Sequence, residues 1–277
     1  MTQEITVLAH NPPTRAKDFA RGLPALAPLN WLKAGVHDTF TAPVSSLLYG
    51  FAVFVVSVVF VAALFRFGFS YILFPVIAGF MVLGPLLATG LYGKSRLLAA
   101  GAPPASVREM IFVKPKSPGQ LLLVGVVLML VLTFWLRFAT VLYALFFGLA
   151  PFGGIEETVD TLLFTNTGRI MLLIGSVVGG MMAAFAFSVS AFSIPMLMNE
   201  KKDTLTAVAL SVVIAWTNKS VVFVWGTIVI VLFLISVATA FVGLIVIFPI
   251  LGHATWHAYT ALRSEAALAD AAREGEG

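Results

Sequence analysis

An all-α bundle of six transmembrane helices is the fold this chain predicts. Three observations lead there. The sequence holds six long apolar stretches almost free of charge, at roughly 45–65, 69–92, 119–137, 170–195, 220–240 and 243–262. Each is close to the roughly 20 residues needed to cross a bilayer core. The composition, 60% hydrophobic and 11% charged, leaves too little polar surface to coat a water-soluble globule of 277 residues. Finally, all but Arg66, Arg137 and Arg169 of the seventeen basic residues fall in the amino-terminal arm, the second and fourth connections, the fifth span's entry and the carboxy-terminal tail. By the positive-inside rule these segments, and both termini, are cytoplasmic, as expected of a multi-pass membrane protein.

The elements follow in order. Residues 1–29 are punctuated by Pro12, Pro13, Pro24 and Pro28 and read as a disordered cytoplasmic arm. Within it only Ile5–Ala9 is apolar, too short for a cleavable signal, so the first span is expected to direct insertion. A single membrane domain covers 30–265, and 266–277 form a cytoplasmic tail. Asn30–Phe40 predicts a short helix on the cytoplasmic membrane surface, with Leu32, Val36 and Phe40 on one face. After Pro103-Pro104-Ala105-Ser106 a second amphipathic piece ends before Lys114. Asp203 caps a third helix, apolar but too short to cross, running to about Trp216. On the outer side, span three is expected to break at Arg137, because a guanidinium snorkels more cheaply from a span end, with residues 138–152 as a separate interfacial piece. Glu156, Glu157 and Asp160 then open a short helix to about Phe164, their charge complementing the helix dipole.

An internal echo links spans 1–2 with spans 5–6. Gly79, Val82, Pro85, Leu87 and Leu98 recur at constant offset as Gly243, Val246, Pro249, Leu251 and Leu262. It reads as a parallel repeat, since four crossings separate the copies.

Few residues carry chemistry. His253 and His257, four apart, share a helix face and can offer two nitrogens to a metal or haem, with His37 approaching from the same side. Beside Trp256 and Tyr259 the same pair reads as an interfacial cluster holding the end of span six through hydrogen bonds to the neighbouring connection. On that reading no metal or cofactor is expected. On the outer face Arg66, Arg137 and Arg169 balance Glu156, Glu157 and Asp160, which predicts mutual salt bridges or, alternatively, an anion or headgroup site. Gly175, Gly179, Gly180, Ala183 and Ala184 form small-residue stripes suited to close helix packing within the chain. Cysteine is absent, removing disulfides and thiolate sites. No acid lies inside a span and no Ser/His/Asp set is evident, which disfavours both ion-coupled transport and an enzyme.

Several segments together resemble the DUF2189 family of bacterial integral membrane proteins. They are Trp31-Leu32-Lys33-Ala34-Gly35 with Asp38, Phe74–Phe80, Gly84-Pro85, Gly90-Leu91-Tyr92, Ser95-Arg96, Ile194–Met198, Trp225-Gly226 and, most specifically, Pro249–Tyr259. The family pattern carries an acid after Gly-Leu-Tyr where this chain has Gly93, which argues against an acid–histidine site near His253. The resemblance implies a six-span inner-membrane protein without assigned activity. The leading expectation is a non-enzymatic accessory or assembly partner of another membrane complex. A small-solute or lipid permease is the second reading, and a haem- or metal-binding protein using His253 and His257 the third. The expected partners are the lipid bilayer and, on the accessory reading, another inner-membrane protein complex; nucleic acid is not expected, because the basic residues sit where anionic headgroups attract them.

Overall fold

The computed structural model describes residues 19–148 and 153–264, with 268, 269 and 273. Its helices are α1 (Ala27–Phe40), α2 (Pro43–Arg66), α3 (Leu73–Leu87), α4 (Thr89–Ala99), α5 (Val107–Ile111) and α6 (Pro118–Phe147). They continue as α7 (Ile155–Phe164), α8 (Asn166–Ser190), α9 (Ser193–Asn199), α10 (Thr204–Thr217), α11 (Lys219–Ala238) and α12 (Leu244–Leu262). Among the described residues the only extended pairing is an isolated bridge between Phe19 and Arg263. Most of the arm and tail, residues 1–18 and much of 265–277, lies outside the described residues. The chain from Phe19, a buried side chain, is placed against the carboxy-terminal end of α12, and α1 starts at Ala27.

Five helical stretches are long and apolar enough to cross a membrane: Pro43–Arg66, Ser70–Ala99, Pro118–Phe147, Asn166–Asn199 and Lys219–Ala238. Two of them are jointed. The second breaks at Ala88 between α3 and α4, and the fourth turns at Ala191–Phe192 between α8 and α9. The second joint has a local cause: Pro195 has no amide to give the Ala191 carbonyl, and its ring crowds that carbonyl. The expected break at Arg137 is not there. Helix α6 continues to Phe147, 30 residues and about 45 Å long. Arg137 stays exposed on its surface. A continuous helix satisfies every backbone group internally, whereas a break would orphan several in a place without water.

The expected sixth span, α12, is a helix but not one of the five. Its second half, Gly252–Tyr259, is polar and aromatic because protein, not lipid, surrounds it. Helices α2 and α12 run antiparallel. Ser46 meets His253, and Gly50 lies against Ile245 and Pro249, so α12 begins beside Gly50, well short of the far end of α2 at Arg66. Beyond the start of α2, α12 continues against α1, α4 and α9. Glycine permits this approach: a Cβ on Gly50 would overlap the Ile245 carbonyl, the one that Pro249 leaves without a helical donor. Likewise Gly35 of α1 seats on Ile250 and Ala254.

The largest fully buried side chains, among them Trp225, Tyr92, Tyr259, Lys94 and Phe192, gather at this one end of the bundle, near both described chain ends. We refer to it as the polar end. Towards the other end α2 exposes Val56, Val59 and Phe60, the surface expected of a lipid-facing helix. Helix α1 contributes Trp31, Gly35 and Asp38 to the core. Its other face, with Val36 and Phe40, is exposed. The remaining short helices start as their sequences predict: Ser106 and Glu109 form a capping box on α5, and the Asp203 side chain accepts from Thr206 N at the start of α10.

Candidate functional site: a buried polar relay and an apolar cavity

At the polar end six side chains from four helices form one line of hydrogen bonds. Lys94 Nζ donates to the Ala42 carbonyl (2.9 Å) and to Ser46 Oγ (2.8 Å). Ser46 Oγ lies 3.0 Å from His253 Nε2, and His253 Nδ1 lies 2.8 Å from Ser95 Oγ. Ser95 donates to Asp38 Oδ2 (2.6 Å), which also meets His257 Nε2 (2.9 Å). Proton bookkeeping sets the direction of each bond. An ionised Asp38 only accepts, so Ser95 spends its hydrogen there and must accept from His253 Nδ1–H. His253 Nε2 is then bare and accepts from Ser46, whose oxygen accepts from Lys94. Every donor points toward Asp38, and a second proton on His253 would break the sequence and set an imidazolium across Ser46 from the Lys94 ammonium.

Burial makes the line consequential. Lys94, Ser46, Ser95 and His253 are inaccessible and Asp38 nearly so, while the His257 side chain is 28% exposed. Unpaired polar groups at such depth would cost several kcal/mol each, so the bonds tie α1, α2, α4 and α12 in one arrangement. Burial raises the Asp38 carboxyl, but hydrogen bonds from His257 and Ser95, with the electrostatic attraction of His257, outweigh it and hold the group below the ordinary carboxylate range. Folding thus assembles the Ser–His–Asp juxtaposition and the acid–histidine contact that the sequence did not disclose. The acid is Asp38, not a residue at Gly93. As a nucleophile Ser46 is badly placed, because it is fully buried.

A second buried knot lies alongside. Arg263 holds Glu200 through Nε–Oε1 (2.9 Å) and a second nitrogen to Oε2 (2.8 Å), and Tyr259 donates to Glu200 Oε1 (2.7 Å). Trp256, its ring centroid 5.4 Å from that of Tyr259, is buried in protein. The interfacial placement expected for Trp256 and Tyr259 is therefore corrected: the residues α12 shows to α1, α4 and α9 are its polar and aromatic ones. The partners of His253 and His257 likewise come from α1, α2 and α4 and not from the adjacent connection. Side-chain exposure of 80% at His37 leaves it outside the line, 3.6 Å from Asp38 Oδ1. Both ring nitrogens of His253 are spent on hydroxyls. Among the described residues no three His, Asp or Glu are grouped to hold a metal ion.

The outer charged residues do not meet as expected. Among the described residues no ion pair joins Arg66, Arg137 or Arg169 to Glu156, Glu157 or Asp160, and Arg169 turns instead to Asn166 and the Thr165 carbonyl. All six are exposed on four separate helices, where a pair would gain little against the entropy of holding it.

The small-residue face of α8 has two roles. Gly179 lies under the Trp135 ring of α6, where a Cβ would stand 2.7 Å from the indole, and Gly175 meets Leu142. Nearby, a Cβ at Gly180 would touch nothing within 4 Å, and Ala184 is exposed. What this face leaves open is an apolar cavity of about 620 Å³ between α3, α6 and α8, lined by Pro75, Trp135, Tyr143, Gly175, Gly180 and Ala183 among others. The indole N–H of Trp135 donates to the Pro75 carbonyl (2.8 Å) and fixes one wall.

Residues 72–199 match the DUF2189 family, described as predicted integral membrane proteins. No curated protein and no solved structure matches the chain. The DUF2189 match takes in Phe74–Phe80, Gly84–Pro85, Gly90–Tyr92, Ser95–Arg96 and Ile194–Met198 and stops short of Trp31–Asp38, Trp225–Gly226 and Pro249–Tyr259. The DUF2189 segment thus supplies the three main cavity walls together with Lys94 and Ser95. Asp38, Ser46, His253 and His257 close the relay from outside it.

Proposed function

We propose that this is a non-enzymatic protein of a bacterial inner membrane whose bundle holds the acyl chain of a bilayer lipid, or a comparable apolar chain, between α3, α6 and α8. The single observation carrying this reading is the apolar cavity of about 620 Å³, within the size range of small-molecule sites and built on helices long and apolar enough to cross a membrane. The small residues of α8 maintain it, and the buried relay holds the opposite end of the bundle rigid. Lipid handling accordingly ranks ahead of a purely accessory role. An accessory role keeps one point in its favour: α10 and the start of α11 expose Leu205, Trp216 and Phe223, an apolar face that a partner complex can cover.

Orientation belongs to the same proposal. Phe19 pairs with Arg263, which brings both described chain ends together and supports an even number of crossings. We take α11 and α12 as the closing pair of six, with the shared face cytoplasmic because the basic residues collect there. Cysteines at Ser106 and Thr165 test it: an impermeant reagent on intact cells should label the second and not the first, and the reverse pattern overturns the orientation.

The cavity is tested by native mass spectrometry of gently extracted protein. Wild type should retain lipid, and Gly180→Leu, which adds bulk into open space without a clash, should release it while folding normally. Equal retention by both proteins contradicts the reading.

A further inference from the structure

A cleft of about 720 Å³ between α4 and α5, separate from the apolar cavity and independent of its reading, is lined by four cations, Lys94, Arg96, Arg108 and Lys114, and a single acid, Glu109. The acid is already committed. Ser106 donates from both its amide and its hydroxyl to Glu109 Oε2, each at 2.8 Å, which turns the carboxylate into the cap of α5. Two cations are committed as well: Lys94 to Ala42 and Ser46, and Arg96 to the Met198 carbonyl (2.7 Å). Arg108 and Lys114 are exposed, and among the described residues neither has a protein partner. The cleft's geometry is fixed rather than fluid, since Gly90 lets the Met110 carbonyl approach α4 and Gly93 lets in Val113.

Location narrows the ligand. The cleft lies where the stretch Ser70–Ala99 ends and just before Pro118–Phe147 begins, which is the depth of lipid headgroups if those stretches cross the bilayer. Phe112 (72% exposed) and Ile111 (57% exposed) extend apolar surface beside it. Guanidinium and ammonium groups without an internal counter-ion, set next to apolar side chains, match a phosphate carried on or near a membrane. We infer that the α4–α5 cleft binds a phosphate group, with Arg108 and Lys114 as its free cations and Arg96 as a fixed one.

The source of the phosphate is either a phospholipid headgroup or a soluble phosphate compound, and one experiment separates them. Purified full-length protein is mixed with phosphatidylglycerol, with diacylglycerol as the comparison lipid that lacks a phosphate, or with inorganic phosphate. Retained adducts are counted by native mass spectrometry, and the melting temperature is followed in parallel. The double variant Arg108→Gln/Lys114→Gln should hold phosphatidylglycerol on the order of tenfold more weakly than wild type, whereas Lys33→Gln, an exposed cation elsewhere, should match wild type. Loss confined to phosphatidylglycerol identifies a lipid headgroup. A melting-temperature rise with inorganic phosphate, absent in the double variant, identifies a soluble phosphate. Equal phosphatidylglycerol binding by the double variant and wild type, without any phosphate response, overturns the inference.

Discussion

Ser95 Oγ donates to Asp38 Oδ2 at 2.6 Å, the shortest link in the relay, and it joins a residue inside the DUF2189 match to one ahead of it. Through that link α4 is tied to α1, and through His253 and Ser46 to α12 and α2. The relay works as a structural clasp whose strength depends on one carboxylate remaining ionised.

The clasp makes stability depend on pH. Asp38 is more acidic folded than unfolded, so its contribution is complete above the ordinary carboxylate range and is lost as pH falls through the lower folded value. Thermal unfolding in detergent should show an acid-side fall in wild type that is shallower in Asp38→Asn. At neutral pH that variant should already be less stable by about 1–3 kcal/mol, because His257 and Ser95 exchange a charged acceptor for a neutral one and the Asn amide adds donors with no acceptor to meet. Identical acid slopes in the two proteins would remove Asp38 from this role.

Ala42, between α1 and α2, holds φ at 57° without being glycine, and Lys94 donates to its carbonyl. The left-handed conformation costs an alanine about 1–2 kcal/mol. Ala42→Gly should therefore raise stability by on the order of 1 kcal/mol, less whatever the unfolded glycine gains in freedom. A loss of stability would mean that the corner is not strained.

Glu200 and Arg263 are both almost fully buried. Removing one charge, as in Glu200→Gln, should cost about 3–5 kcal/mol by taking the carboxylate out of a buried ion pair. Replacing both, as in Glu200→Met/Arg263→Leu, should recover most of that loss. A double variant no better than the single one would show that the loss comes from Tyr259 or the packing, not from the broken ion pair.

Local rules made much of the fold legible. The caps at Ser106 and Asp203, the acids opening α7 and the lengths of five apolar stretches all follow from neighbouring residues. Partnerships across the fold did not. His253 reaches Ser95 across 158 positions and His257 reaches Asp38 across 219, and no periodicity encodes such pairings. The charge pattern was also ambiguous at single positions. Lys94 and Arg263 count toward the basic face of a membrane protein, yet both are buried and spent on internal bonds. Arg137 shows the converse, a cation that permits a continuous helix where a break was expected. The segments carrying Asp38 and Ser95 did stand out, since both belong to the stretches on which the family resemblance rests.

The central claim, that an apolar chain occupies the space between α3, α6 and α8, is tested most directly by photo-crosslinking. Protein in nanodiscs containing a phospholipid with a diazirine midway along its acyl chain is irradiated, and the adducts are mapped by mass spectrometry. The account predicts adducts concentrated on cavity residues such as Trp135, Tyr143 and Ser176 and strongly reduced in Gly180→Leu. Adducts spread evenly over outward-facing residues such as Leu173 and Val177, and unchanged in Gly180→Leu, would contradict it.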